Sequence, residues 1–260
     1  MTLIAVRDLS KKFVKDKREI VALDGFSLEV GEGEFVCLLG PSGCGKTTVL
    51  RIVAGLETKT TGQVLVNGKD VDRVRPRVGM VFQEFALFPW RTARKNVEFG
   101  LEMKRVPGPK RAEIATRYLE LVGLSGFADA HPNELSGGMK QRVAIARALA
   151  HDPAVLLMDE PFGSLDAQTR NLMQKELLRI WSATNKTVLF VTHSVDEAVF
   201  LADRIVVMTA RPGKVRETID VDLAHPRDRT SPEFISVRGR VLAELDEEFE
   251  KARARELSPD

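Results

Sequence analysis

The chain has 260 residues, 43% hydrophobic and 29% charged, which is ordinary for a soluble globular protein of one large or two small domains. Its 39 basic and 37 acidic residues leave a net charge of +2, which excludes nucleic-acid binding driven by bulk electrostatics. Two cysteines, Cys37 and Cys44, are too few for a disulfide framework, and no apolar run approaches the roughly 18 residues needed to cross a bilayer. The opening MTLIAVRDLSKKF lacks the apolar core of a secretory leader, so none is expected.

In chain order, short apolar or alternating runs predict strands over residues 3–6, 21–30, 35–39 and 63–66. Gly25, Gly31, Gly33 and Gly62 punctuate them, and Asn67-Gly68 is a tight-turn signal. Between the third run and a helix-like run over residues 47–56 stands Gly40-Pro41-Ser42-Gly43-Cys44-Gly45-Lys46-Thr47, the pattern G-x-x-x-x-G-K-[ST]. The glycines let the backbone approach an anion where a Cβ would clash, and successive N–H groups point at it from the positive end of the helix. Lys46 can reach the outer phosphates of a nucleotide, and the Thr47 hydroxyl suits Mg²⁺, a hard cation that takes oxygen ligands. A Gly-rich turn that only starts a helix is the plain alternative, and strand before with helix after argue against it.

Residues 78–82 predict another strand. Residues 110–122 place Ile114, Ala115, Tyr118, Leu119 and Val122 on one helical face, with Pro107 and Pro109 breaking the chain before it and Gly123 ending it. Residues 137–150 form a second helix, opened by Ser136, Gly137 and Gly138 as a further anion-type helix start, although Ser136 could serve only as an N-cap. Residues 155–158 are wholly apolar, as in a buried parallel strand, and end on Asp159-Glu160. With a phosphate loop upstream, Asp159 suits Mg²⁺ and Glu160 suits polarising a water. A helix over 172–183, a strand over 187–191, a helix over 194–202 with Ser194 and Glu197 spaced as a capping box, a strand over 204–208 and a charged helical tail over 232–257 complete the chain. The order implies an α/β core interrupted by a helical insert.

Two phosphate cradles that cannot both reach one ligand make sense if two chains associate head-to-tail, each second cradle capping the nucleotide held by the other loop. At this point the chain resembles the nucleotide-binding subunits of ATP-binding cassette (ABC) transporters, over about residues 2–220. Residues 40–47 resemble their Walker A, 155–160 their Walker B and 135–141 their signature motif, with Met139 where glutamine is common. Gln83 is similar to the Q-loop glutamine, Asp166 to the D-loop aspartate, His193 to the switch histidine and Phe13 to the aromatic that stacks on adenine. Each keeps a plain alternative: Phe13 as core, His193 as a helix-start residue, Gln83 as a strand end, Asp166 as an N-cap and Cys44 as a tolerated loop residue.

The resemblance implies a P-loop NTPase of α/β class with a RecA-like mixed sheet, an N-terminal antiparallel β subdomain and an inserted helical subdomain. It implies an ATPase domain over residues 2–230, in which 1–84 and 151–230 make the core and 85–150 the helical part, followed by a helical tail over 231–260. It implies ATP and Mg²⁺ as cofactors. Phe13, Gly40, Pro41, Ser42, Gly43, Cys44, Gly45, Lys46, Thr47 and Thr48 would bind nucleotide; Thr47, Gln83 and Asp159 would hold Mg²⁺; Glu160, His193 and Gln83 would act in catalysis. Leu135, Ser136, Gly137, Gly138, Met139 and Gln141 would act on the other copy's nucleotide, with Asp166 beside them.

Implied partners are a second copy, two membrane permease subunits contacted near residues 83–96 with Phe85, Phe88 and Trp90, and a solute-binding protein, with no nucleic acid. The implied place is the cytoplasmic face of the cell membrane. The Phe-Pro-Trp segment, Met139 and Ala210-Arg211-Pro212-Gly213 are similar to importers of the nitrate, sulfonate and taurine group. Against a P-loop small-molecule kinase stands the signature segment, which it would not use. A repair-type cassette would carry a long coiled coil between Walker A and signature, and a translation-factor type would carry two cassettes.

Overall fold

The computed structural model describes residues 1–15, 18–72 and 77–257. The chain forms two compact units, one from Met1–Pro76 with Thr187–Asp260 and one from Arg77–Lys186.

The first unit contains two sheets. β1 (Thr2–Lys15) and β2 (Arg18–Gly31) pair antiparallel, with Ile4 opposite Val30 and Val6 opposite Leu28. β4 (Thr61–Val66) flanks β1 on its other edge and β5 (Lys69–Asp70) closes the order β2-β1-β4-β5. Asn67 and Gly68, at φ 50° and 70°, make the two-residue turn between β4 and β5, and positive φ at both positions is what a type I′ turn requires. The first strand run continues well past the expected residue 6, because Leu9, Lys11 and Phe13 keep pairing with β2 across several register shifts. Gly62 sits at φ 92° where an added Cβ would lie 2.4 Å from the Asp8 carbonyl, so β4 can cross β1 there only as glycine.

The other sheet of this unit has β3 (Phe35–Leu39) parallel between β8 (Thr187–Thr192) and β9 (Arg204–Met208), with β10 (Val215–Asp220) antiparallel on β9. Every residue of β3 and β8 is buried. Strands covered on both faces read as unbroken apolar runs, which is why these were visible in the sequence and the half-exposed edge strand β10 was not. Helices α1 (Lys46–Val53), α6 (Val195–Leu201) and α7 (Pro232–Leu257) complete the unit. α7 packs on α6 and β9, and its Phe234, Val241 and Leu245 are buried.

In the second unit, β6 (Val78–Val81) and β7 (Val155–Asp159) pair parallel, Val81 beside Met158. Around them stand α2 (Ala93–Met103), α3 (Gly108–Leu121), α4 (Gly137–Ala150) and α5 (Ala167–Thr184). Two boundaries differ from expectation for reasons of capping. Pro109 sits inside the first turn of α3, where its missing N–H costs nothing, and Asp166 starts α5 earlier by capping it. α2 was not expected; Thr92 caps it, accepting from the Lys95 N–H. Among the described residues no helix is long and apolar enough to cross a membrane.

Replacing Gly62 with alanine should lower stability by about 2 kcal/mol or more, from the positive φ and the carbonyl clash together. A urea midpoint indistinguishable from the parent would show that β4 tolerates a side chain there.

Candidate functional site

The first unit supplies an anion cradle. β3 ends at Leu39, in register with Thr192 of β8 and Val207 of β9, and the chain then turns through residues 40–45 into α1. Gly40 has no room for a Cβ, which would fall 2.9 Å from the Cys44 Sγ and 3.1 Å from the Met208 carbonyl oxygen. Gly43 and Gly45 stand at φ 75° and 103°, and a Cβ on Gly45 would meet Leu23 at 2.7 Å. Such reversals between right- and left-handed backbone gather N–H groups on one concave side. Gly45 caps α1 with no side-chain bond of its own.

Lys46 is 5% exposed, and its Nζ donates to the Gly40 and Pro41 carbonyls at 2.7 and 2.9 Å. A cation is thus held against the loop's own backbone. Thr47 and Thr48 are half-buried in the first helical turn, Ser42 is exposed, and Pro41 is buried. Burial pushes the Cys44 thiol up, against the opposing pull of Lys46, which disfavours the thiolate.

His193 is exposed just after β8. Its turn is fixed by Thr192, whose hydroxyl donates to Glu197 Oε2 at 2.6 Å and accepts from the Ser194 N–H at 3.0 Å. Ser194 caps α6 by accepting from the Glu197 N–H. Phe13, on β1, is 37% exposed, with the Lys11 ammonium 4.7 Å from its ring centroid. Lys11 in turn pairs with Glu57 at 2.7 Å.

The second unit supplies carboxylates and an amide. β7 is wholly buried up to Asp159, which is 8% exposed. Glu160 follows at φ 43°, left-handed backbone that a residue with a Cβ adopts at a cost. Strain of this kind concentrates at functional positions. Gln83, exposed past the end of β6, converges on the same turn: a Cβ on Gly163 would lie 3.6 Å from Gln83 Nε2 and 3.9 Å from Glu160 Oε2.

Ser136 is exposed and caps α4, its Oγ accepting from the Met139 N–H at 3.3 Å. Gly137 and Gly138 let α4 start against Leu165 and Thr169, which a Cβ would approach to 3.2 and 2.9 Å. Leu135 is buried and Met139 is half-buried. Gln141 is set apart from Ser136. It is wholly inaccessible and its amide atoms have no hydrogen-bond partner in the structure, so it lies inside this unit rather than on the face Ser136 presents. Asp166 caps α5, accepting from Gln168 and Thr169 N–H at 3.1 and 3.0 Å, and bonding from Thr169 holds its exposed carboxyl below the usual range.

The segment after Gln83 is built around Asn96, which sequence reasoning missed. This buried amide accepts from the Phe88 N–H at 2.8 Å and donates to the Phe88, Arg91 and Thr92 carbonyls. The turn it fixes leaves Trp90 72% exposed beside Phe88. Arg147 of α4 donates to the Ala86 and Phe85 carbonyls at 2.5 and 3.1 Å. The only sequence signal for either was a polar residue breaking an apolar helical face.

Known proteins share this arrangement. The ABC transporter family matches residues 23–163. The nitrate import ATP-binding protein NrtD of Synechocystis sp. is 48% identical over 229 residues, 88% of this chain and 85% of that one. The aliphatic sulfonates import ATP-binding protein SsuB of Bacillus cereus is 42% identical over 243 residues, 94% of this chain and 96% of its own. A solved dimeric ATP-binding cassette in a post-hydrolysis state, bound to ADP and Pi, superposes with a TM-score of 0.74 at 34% identity, covering 85% of this chain and all of that one. The α/β class with an N-terminal antiparallel sheet is therefore borne out. The chain belongs to the ABC transporter family, among its ATP-binding cassettes that hydrolyse ATP.

Proposed function

We propose that this chain is the ATPase subunit of an importer for a small anion of the nitrate, sulfonate or taurine kind, working as a pair of identical cassettes on the cytoplasmic face of the membrane. Two copies would enclose two ATP molecules, each between the phosphate loop of one and the Ser136 helix start of the other. The observation that carries the reading is Glu160, held in left-handed backbone directly after the buried Asp159, with the Gln83 amide converging on its turn.

The residues fit the groups they would hold. Thr47, Asp159 and Gln83, which the resemblance assigns to Mg²⁺, carry hydroxyl, carboxylate and amide oxygens, each a hard donor that this ion takes. That ion, when bound, would neutralise charge on the phosphates. The loop N–H groups and Lys46 bind the phosphates, exchanging the carbonyl partners of Lys46 for anionic oxygens. Phe13 stacks on the adenine, its other face backed by Lys11. Glu160 orients and deprotonates the attacking water. His193 and Gln83 hold the reacting end of the triphosphate, and Ser136 with the first N–H groups of α4 completes the cradle from the other copy. The resemblance also places Pro41, Ser42, Cys44 and Thr48 in the cradle, and Asp166 at the seam between copies.

Support for the importer role comes from the names of the sulfonate and nitrate relatives and from the Phe-Pro-Trp segment. A rigid turn that offers a tryptophan to solvent is the kind of surface a partner helix takes. The permease subunits would dock there, and a solute-binding protein would join through them.

Glu160→Gln should keep ATP binding, lower turnover by about a hundredfold or more, and shift the chain to dimer in ATP and Mg²⁺ on light scattering. A variant that stays monomeric under saturating ATP would contradict the paired arrangement. Trp90→Ala should leave the thermal midpoint of the isolated chain unchanged, since the ring is exposed, but abolish co-purification with membrane subunits. Asn96→Ala should cost about 2 kcal/mol as well, by orphaning the Phe88 N–H; retained stability would mean that turn holds itself.

A further inference from the structure

The C-terminal helix reaches the phosphate loop through one buried carboxylate. Glu248 of α7 is 1% exposed. Its Oε2 accepts the Ala210 N–H at 2.7 Å, and its Oε1 takes Arg216 Nη1 at 2.5 Å and Lys251 Nζ at 2.6 Å. Burial alone would raise the carboxyl; the bonds from Lys251, Ala210 and Arg216 outweigh it and hold the group below its ordinary range.

Ala210 opens the connection between β9 and β10, which closes on itself. The Thr209 hydroxyl donates to the Pro212 carbonyl at 2.8 Å and accepts the Lys214 N–H at 3.0 Å. Its far side is the back wall of the phosphate loop. The Gly213 N–H donates to the Ala22 carbonyl at 2.9 Å. A Cβ on Gly213 would sit 2.0 Å from the Cys44 carbonyl oxygen, so that carbonyl is packed flat against the connection. Arg211 Nε donates to the Gly43 carbonyl at 3.4 Å, and its Nη2 lies 3.1 Å from where a Gly43 Cβ would be.

A peptide unit whose carbonyl is fixed outward has its N–H fixed on the opposite side, since the unit is planar. The unit behind the Gly43 carbonyl carries the Cys44 N–H, which donates to the Pro41 carbonyl at 3.3 Å and so tightens the loop, and the unit behind the Cys44 carbonyl carries the Gly45 N–H at the start of α1; fixing both carbonyls from behind sets the shape of the cradle. We propose that Arg211 and Glu248 are positioning residues for nucleotide binding: Glu248 on α7 anchors the 209–214 connection, and that connection, through Arg211 and Gly213, sets the orientation of the phosphate loop. This rests on residues 40–47 being the nucleotide phosphate site.

The test uses the full chain, with dissociation constants for Mg-ATP and Mg-ADP from competition against N-methylanthraniloyl-ADP, and KM and kcat from steady-state turnover. Arg211→Ala and Glu248→Gln should each weaken both nucleotides by about fivefold, the worth of one hydrogen bond, with KM rising more than kcat falls. Since both act along one path, the double variant should lose no more than the weaker-binding single variant. Arg211→Lys should recover part of the loss, because an ammonium can still reach the Gly43 carbonyl. A merely stabilising role would lower the unfolding temperature and leave both affinities intact. Arg211 is exposed, so its variants test the idea even if Glu248→Gln fails to fold. Unchanged affinities in Arg211→Ala, alongside loss of binding in Lys46→Ala, would overturn the proposal. Normal binding by Lys46→Ala would instead overturn the phosphate-site assignment beneath it.

Discussion

A parallel strand buried on both faces has no place for a polar side chain until it leaves the sheet. β3, β7 and β8 are of this kind, apolar along almost their whole length and enclosed throughout. Polar chemistry is therefore pushed to their C-terminal ends: the glycine turn after β3, Asp159 and Glu160 at the end of β7, Thr192 and His193 at the end of β8. Parallel register then gathers what each strand delivers. Leu39 sits beside Thr192 in the first unit, and Val81 beside Met158 in the second, so the groups that follow emerge as neighbours rather than at random. The apolar runs that stabilise the sheets and the polar ends that carry reactivity are two results of one constraint.

The second ingredient is backbone that only tight surroundings can hold. Gly40, Gly45 and Gly213 are places where a methyl group would collide with sulfur, side-chain carbon or carbonyl oxygen. Glu160 is the counterpart, a residue with a Cβ kept at positive φ. Its cost, of the order of 1–2 kcal/mol, must be met by the packing of β7 and the turn closed by the Gly163 N–H on the Glu160 carbonyl. A side chain fixed this way loses little further freedom on meeting its substrate.

How much of this was legible followed from range along the chain. The phosphate loop, Asp159-Glu160, Ser136 as a cap and Asp166 as a cap each combine residues within a few positions, so local chemistry exposed them. The buried strands were legible for the same reason. Arg147 and Glu248 were not, because their partners lie far off in sequence: Glu248 meets Ala210 across 38 residues and Arg147 meets Ala86 across 61. β10 was hidden by its half-exposed, mixed pattern, and Asn96 by being one polar residue whose nearby carbonyl partners leave no pattern in the sequence. Gln141, which the resemblance groups with Ser136, is enclosed while Ser136 is exposed, a difference that comes from where each falls around the helix and its cap.

Within the second unit, α4 joins two distant groups of that list. Ser136 caps its start and Arg147 stands eleven positions on, roughly 16 Å at 1.5 Å per residue. Arg147 grips the carbonyls of Phe85 and Ala86, two and three residues after Gln83 and just before the turn that presents Trp90. Burial pulls its guanidinium below its usual range, yet a group that starts so high stays charged, and its bonds to carbonyls are of the stronger, charge-assisted kind. α4 also packs against α2, α3 and α5, so it has little freedom to bend between its ends. A displacement of the segment carrying Trp90 must therefore either break the Arg147 bonds or carry α4 along. Breaking them would leave a half-buried cation without those two carbonyls, so the Arg147 bonds tie the segment before Trp90 to the helix that Ser136 caps.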